Sequence, residues 1–367
     1  MTNKEKAIEI FRLLEENHIN LYHDISKEDF QEELNKFLEI AEDLDDVHFD
    51  AGICKLFALF KDAHTSYFIK SDFVDAQIKV VDDKYYICDI KNNLCEEISK
   101  VNGFDIKVIS ERLKELIPFE CESWAKKCIA DRLCCLKHLR MIDCENKDNL
   151  FEIEYHLANG DIFTSKLGNR KKQNKPNYSF SVNHDIIVVN YLKCKNMDEY
   201  PFIQFVQDIK TNCKKLPKAC IVDLRGNTGG SSEIIWPLID WLKENSVDTY
   251  VLMNEQVFSS GIFALFYLKK YLDAKFIGTE AGQGGCRYGQ QKQLEVDGKS
   301  FGCSEKKFDF TNKCDERLKK YFSKNHAIVP DIYLPEKIED VALGIDGQLR
   351  DALEIIEKEI EISKEIL

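Results

Sequence analysis

The sequence predicts an α/β protein in three parts: an N-terminal helical bundle, a mixed α/β module, and a C-terminal α/β domain built on a parallel sheet. Three observations predict it. Residues 1 to 62 carry apolar stripes at helical spacing. From Ala76 the pattern changes to short alternating runs. After about residue 180, strand-length apolar runs alternate with amphipathic helices, the rhythm of strands joined by right-handed crossovers.

Ala7, Ile8, Ile10, Phe11, Leu13 and Leu14 form one stripe, and "SKEDFQEELNKFLEIAEDL" offers Ser26 as a helix cap with Asp29 three residues on. The bundle is placed at residues 1–70. The module at 71–175 begins with "AQIKVVDDKYYICDI" and continues through "ISKVNGFDIKVISERLKEL", where Asn102-Gly103 signals a turn towards a helix. A helical, cysteine-rich stretch near 121–140 precedes a strand pair turning at Asn159-Gly160. The polar, basic "GNRKKQNKPNY" at 168–178 marks the boundary to the last domain, 176–367. There "DIIVVNYL", "ACIVDLRG", "TYVLMNE" and "AKFIGTE" read as strands, with helices between them.

Composition narrows the function classes. The 367 residues are 44% hydrophobic and 31% charged, enough for a substantial core. A net charge of -13 argues against nucleic acid and against anionic membrane surfaces as partners. The 14 cysteines include the adjacent pair Cys134-Cys135, but none has the spacing of a zinc site, so neither metal nor cofactor is expected. No signal peptide or transmembrane stretch is evident, and a cytoplasmic location with most thiols reduced is expected.

Ligands of such sheets bind beyond the carboxyl ends of the strands. Two turns fall at that edge, "DLRGNTGGSS" and "NEQVFSSG". A serine in "FSSG" is by default a helix cap. At a strand-to-helix turn, however, it can also present a nucleophile beside unpaired backbone N–H groups. Gly226, Gly229 and Gly230 let backbone N–H groups approach an oxyanion, whereas the loop lacks the ending of a phosphate-binding loop. A serine nucleophile needs a base, and His64 lies in a short polar break, "KDAHTSY", right after a helix.

Together "IVDLRGNTGG", "VFSSGIFALFYLKKYLDAKFIG", "KDAHTSY" and "VPDIYLPEKIEDVALGIDGQLRDALEII" resemble the C-terminal processing peptidases, or tail-specific proteases. The four blocks keep the family's order from about residue 1 to 360, and the match is weak from 70 to 180. The resemblance implies a Clp protease/crotonase-like core and a degenerate PDZ-like module at 71–175. It also implies a substrate that is an unstructured peptide or a protein C-terminus. Carried over residue by residue, it places the nucleophile at Ser259 and the oxyanion donors at Gly230 or Gly229 and at Ser260.

The chain departs from the Ser-Lys branch of that family, having Gly284 and no lysine in "TEAGQGGCRYG". It is closer to the histidine-using, tricorn-like branch, which makes His64 the general base. The acidic third member of that branch is replaced by Lys324 and Asn325, leaving Asp331, Glu280 or Asn325 to orient His64. Cys286 is expected to be structural. Without hydrolysis, the same fold would serve a peptide- or ligand-binding protein, as in retinoid-binding relatives. A crotonase-like acyl-thioester enzyme would need no serine nucleophile. An unperturbed histidine base predicts activity rising near pH 6.5, about the free imidazole value.

Overall fold

The computed structural model describes every residue except Ser71, Ile90, Lys91, residues 169–174, Lys214, residues 323–325 and Leu367. Most of the boundary stretch 168–178 therefore lies outside the described residues. The chain divides into two compact units: Met1–Lys171 with Cys286–Asp309, and Lys172–Gly285 with Phe310–Leu367.

The first unit opens with helices α1 (Asn3–Asn17), α2 (Lys27–Ile40) and α3 (Asp46–Ala58). Thr2 closes a capping box with Glu5, and Ser26 accepts the Asp29 N–H as read from the sequence. Asp45 caps α3 through the N–H groups of Val47 and His48. The apolar stripes meet in a core where Phe11 lies 5.2 Å from Phe30 and 5.6 Å from Phe57, centroid to centroid.

Two-residue β1 (Ser66–Tyr67) follows, then β2 (Gln77–Val81), β3 (Lys84–Asp89), β4 (Leu94–Val101) and β5 (Phe104–Asp105). Helices α4 (Ile106–Lys114), α5 (Glu122–Arg132) and α6 (Leu136–Met141) lead to β6 (Glu152–Leu157) and β7 (Ile162–Lys166). These strands form an antiparallel sheet in the order β2-β3-β4-β6-β7, with β5 returning on β4 after the Asn102-Gly103 turn. Cys88 and Cys95 face each other across β3 and β4 and are joined in a disulfide.

The second unit begins with the hairpin β8 (Tyr178–Asn183) and β9 (Ile186–Tyr191). It continues α7 (Phe202–Asn212), β10 (Ala219–Asp223), α8 (Trp236–Glu244), β11 (Asp248–Met253), α9 (Ser260–Leu272) and β12 (Lys275–Gly278). The chain then returns to the first unit for a long hairpin, β13 (Cys286–Val296) and β14 (Lys299–Asp309), with β1 paired on β14. Val296, Phe301 and Cys303 of this hairpin join the core of the first unit, where Phe301 packs 6.0 Å from Phe57. Back in the second unit come α10 (Glu316–Phe322), β15 (Ile332–Tyr333), α11 (Ile338–Ala342) and α12 (Gly347–Ile366).

The sheet of the second unit runs β15-β12-β11-β10-β9-β8, with β9, β10, β11, β12 and β15 parallel and β8 antiparallel at one edge. The four strands read from the sequence are thus neighbours in one sheet. Alternation explains why their apolar runs are unbroken. Val189, Val222, Val251 and Phe276 face one core, and Val188, Ile221, Leu252 and Ile277 face another, against Ala352 and Ile356 of α12. Each such aliphatic burial contributes about 1.5–3 kcal/mol. Among the described residues no helix is long and apolar enough to cross a membrane.

Candidate active site

β11 delivers the chain to a sharp turn before α9. Ser259 holds φ 53° and ψ -117°, and the Gly261 N–H donates to the Phe258 carbonyl at 2.9 Å. These are the marks of a type II′ turn with serine at the position that favours glycine. For a residue with a Cβ the conformation costs about 1–3 kcal/mol and persists only where its surroundings impose it. Ser259 stands at the N-cap position, yet its side chain makes no capping bond and its backbone lies outside the extended region that caps adopt. Capping therefore does not explain this serine.

Three contacts hold the turn. The buried Gln283 accepts the Ser259 N–H through Oε1 at 2.8 Å. The Asn227 carbonyl accepts the Phe258 N–H at 3.0 Å, and the Val257 carbonyl accepts the Gly282 N–H at 3.0 Å. Asn227 is itself fully buried: its Nδ2 donates to the Tyr191 carbonyl, and its Oδ1 accepts from the Gly229 N–H and the Cys194 thiol. One asparagine thereby links the glycine loop to the serine turn.

The loop sits close enough that glycine is required. A Cβ on Gly229 would lie 2.8 Å from both Ser259 Cβ and Ser260 N, with φ at +104°. A Cβ on Gly230 would lie 2.3 Å from the Cys194 carbonyl oxygen, with φ at +134°. Ser260 Oγ donates to the Gly230 carbonyl at 2.7 Å, which commits the second serine to the loop. Among the described residues, the N–H groups of Gly230 and Ser260 donate to no hydrogen bond. Two unengaged donors beside a strained serine are suited to stabilising an oxyanion.

His64 belongs to the first unit and is 7% exposed. Its backbone N–H donates to Asp62 Oδ1 at 2.9 Å, and its carbonyl accepts from Gln291 Nε2 on β13. Asp62 is a hub. Its Oδ2 accepts from Thr65 Oγ1 and Ser304 Oγ, each at 2.6 Å, and from His18 Nε2 at 3.0 Å. Because His18 Nδ1 accepts the Asn20 N–H, His18 is the tautomer protonated on Nε2. Burial opposes ionisation of Asp62, but the bond from His18, the nearby His64 and the two hydroxyls outweigh it and hold the carboxyl below its ordinary range. Burial pushes the His64 imidazole down to about 4 against the opposing pull of Asp62. His64 is thus neutral through the whole physiological range, and the value near 6.5 expected from the sequence does not apply.

The other sequence candidates fall as follows. Asp331 sits in the second unit, accepting from Tyr321 Oη, from the Phe276 N–H at 2.9 Å and from Lys269 Nζ at 3.1 Å. Glu280 is exposed beyond β12. Asn325, with Lys324, lies outside the described residues. Cys286 begins β13 opposite Asp309. The structure brings together Ser259, Ser260, Gly229 and Gly230 within one unit.

Sequence reasoning missed Asp62 and Gln283. An aspartate two residues before a histidine was a readable sign of a side chain turned back on its own backbone. A long amide flanked by glycines offered less. Asp62, His64 and Glu120 are the one group among the described residues whose metal-capable atoms come within 4.8 Å of one another. The four donors already on Asp62 mark that carboxylate as a hydrogen-bonding centre first.

Two sequence blocks far apart in the chain also meet. The Arg225 guanidinium of "DLRG" donates to both Asp223 oxygens, to both Asp346 oxygens and to Gln348 Oε1 of "GIDGQL". This fork fixes the start of the glycine loop against the start of α12.

The sequence matches no protein-family model and no curated protein. Solved structures do share its architecture. Mature CPAF aligns at 13% identity over 93% of this chain and 94% of that chain, with a TM-score of 0.64. Mature CPAF complexed with lactacystin aligns at 13% identity over 98% of each chain, with a TM-score of 0.61. A protein of Parabacteroides merdae, provisionally described as a peptidase, aligns at 12% identity over 97% of this chain and 96% of that chain, with a TM-score of 0.50. At these identities the likeness is one of fold, and it extends over nearly the whole chain: this protein has an α/β fold similar to theirs.

Proposed function

We propose that this protein is a serine peptidase of the C-terminal processing type, acting on unstructured peptides or protein C-termini. Ser259 Oγ attacks the scissile carbonyl while its proton passes to the neutral His64. The N–H groups of Gly230 and Ser260 stabilise the resulting oxyanion. Protonated His64 then gives its proton to the leaving amine, and water attacks the acyl-serine with His64 again as base. The carrying observation is the geometry of Ser259, strained and unused as a cap beside two unengaged N–H groups. The peptidase description of the Parabacteroides merdae protein agrees with it.

The test is fluorophosphonate labelling together with hydrolysis of a broad peptide library. Wild type labels and cleaves; Ser259→Ala does neither; Ser260→Ala still labels. Wild type inert in both assays would replace this reading with that of a binding protein. If only Ser260→Ala is dead, the nucleophile is one residue later. We assign peptide capture to the module at 71–175, as a degenerate PDZ-like domain whose edge strand β2 can accept an added strand. Substrates ending in a free carboxylate then show a lower KM than their amides, and equal values would refute that assignment.

A further inference from the structure

The proposed mechanism leaves open what orients the histidine, and three contacts within the first unit bear on it. The His64 ring hydrogen-bonds the backbone of Tyr288 on β13 in the sense that favours a protonated ring nitrogen, so an N–H donates to the Tyr288 carbonyl. The next residue is Gly289, where a Cβ would lie 3.5 Å from His64 Cε1 and 3.2 Å from Phe308 Cε2. Two residues on, Gln291 Nε2 donates to the His64 carbonyl. Asp62, by contrast, receives the backbone N–H of His64 and acts on the ring through its charge.

We propose that β13 positions the general base: the Tyr288 carbonyl fixes the His64 tautomer, Gly289 lies against the ring with room for no more than a methyl group, and Gln291 holds the His64 backbone. A backbone carbonyl then fills the orienting place that a carboxylate fills in a Ser-His-Asp triad. With one ring nitrogen protonated and donating to Tyr288, the other carries the lone pair that takes the serine proton. No charge is needed, because the bond has only to select the tautomer and the ring plane. The hairpin ties the same segment a second time, since Ser304 on β14 donates to Asp62. Tyr288 is locked in turn by Asn20 Nδ2, which donates to its hydroxyl at 3.0 Å, and by His23, whose ring centroid lies 4.1 Å away.

This inference rests on the peptidase reading, and its test does not require activity. Full-length Ser259→Ala, labelled with 15N-histidine, is examined by long-range 1H–15N NMR. The His64 nitrogens are expected to show one protonated and one unprotonated shift, unchanged from neutral pH to below pH 5.5, about a unit under the free imidazole value. Averaged shifts, as in a ring exchanging between tautomers, would overturn the proposal even if wild type proved an active peptidase. Loss of fluorophosphonate labelling in wild type would instead defeat the peptidase reading alone.

Gly289→Val, whose γ-carbons reach beyond ordinary contact, should displace the ring, whereas Gly289→Ala, whose Cβ meets His64 Cε1 at 3.5 Å, serves as the control that leaves it in place. In the Ser259→Ala background the single-tautomer signature blurs for Val and not for Ala. In the active chain kcat falls roughly 10- to 100-fold for Val with KM within about two-fold, the scale of an ångström-level misplacement. Gln291→Leu provides a third variant that leaves β13 free of added bulk and should lower kcat in the same sense. An unchanged His64 spectrum in both Gly289→Val and Gln291→Leu would sink the proposal.

Discussion

The Ser259 turn and the His64 segment are built on opposite principles. At Ser259 the backbone is strained, with φ at 53°, and the neighbouring Gly230 and Ser260 N–H groups are unengaged among the described residues. Around His64 the carboxylate of Asp62 gathers four donors, and the ring is buried against β13. On the nucleophile side the unengaged donors are main chain, backed by the side chains of Gln283 and Asn227; on the base side the charge is gathered by side chains around Asp62. Only proline deletes a main-chain donor, so the first region is most vulnerable to crowding and, through Gln283, to unpairing, while the second depends on its paired side chains throughout.

The largest expected effect tests that comparison at its centre. Ser259→Ala should lower kcat/KM by roughly 10³-fold or more, because nucleophile and base act as one unit. Ser260→Ala removes only the bond to the Gly230 carbonyl and should cost much less. Equal losses for the two variants would show that the loop contact, not the hydroxyl of Ser259, limits the rate.

Crowding comes next. Gly229→Ala places a Cβ at 2.8 Å from Ser259 Cβ in a backbone at φ +104°. A fall of roughly 10²-fold in kcat is expected, with the unfolding midpoint lowered as well. Retained activity would mean that the loop yields and that its close approach is incidental.

Unpairing is milder. Gln283→Leu leaves the Ser259 N–H without its acceptor in a buried site, a cost of about 1–3 kcal/mol. Slower fluorophosphonate labelling should accompany the lower stability in urea, and Gln283→Glu, which keeps an acceptor, should recover part of the labelling rate. Stability loss with an unchanged labelling rate would reduce Gln283 to a packing residue.

The smallest effect is on pH. His64 is held at about 4, while in the unfolded chain it returns towards 6.5. Below pH 6.5 the unfolded state therefore binds a proton that the folded state does not, and stability falls until pH reaches about 4, by at most about 3 kcal/mol. Asp62, whose pKa is depressed, loses its contribution only below the ordinary carboxylate value of 3.8, so the two windows separate. Urea unfolding measured across the upper window should show a slope that His64→Gln flattens. Peptidase activity should likewise persist below pH 6.5; an acid limb centred there would place His64 in a wetter environment.

Much of this molecule was legible in the sequence because it is local. Unbroken apolar runs in "DIIVVNYL" and "ACIVDLRG" announced strands buried on both faces, and Ser26 with Asp29 announced a helix start. The glycines of "RGNTGG" and the serines of "FSSG" were readable as one site, since a turn's chemistry is written in its own residues. Asp331 attracted attention as an acid near the end of the chain, but sequence could not show that it serves Lys269, Tyr321 and the Phe276 N–H.

The sequence by itself determined the elements, the glycine loop and the identity of the serine turn, because periodicity, capping and turn preference act over a few residues. Only the tertiary structure decided which of two serines is tied to the glycine loop and which is left in the strained turn, since that depends on the Gly230 carbonyl and on the contacts made by Asn227 and Gln283. Likewise only it assigned the hairpin of β13 and β14 to the first unit, more than two hundred residues after His64, and set Gly289 of that hairpin against the ring. Contacts at such separation are selected by burial and by the pairing of desolvated polar groups, and no local pattern encodes them.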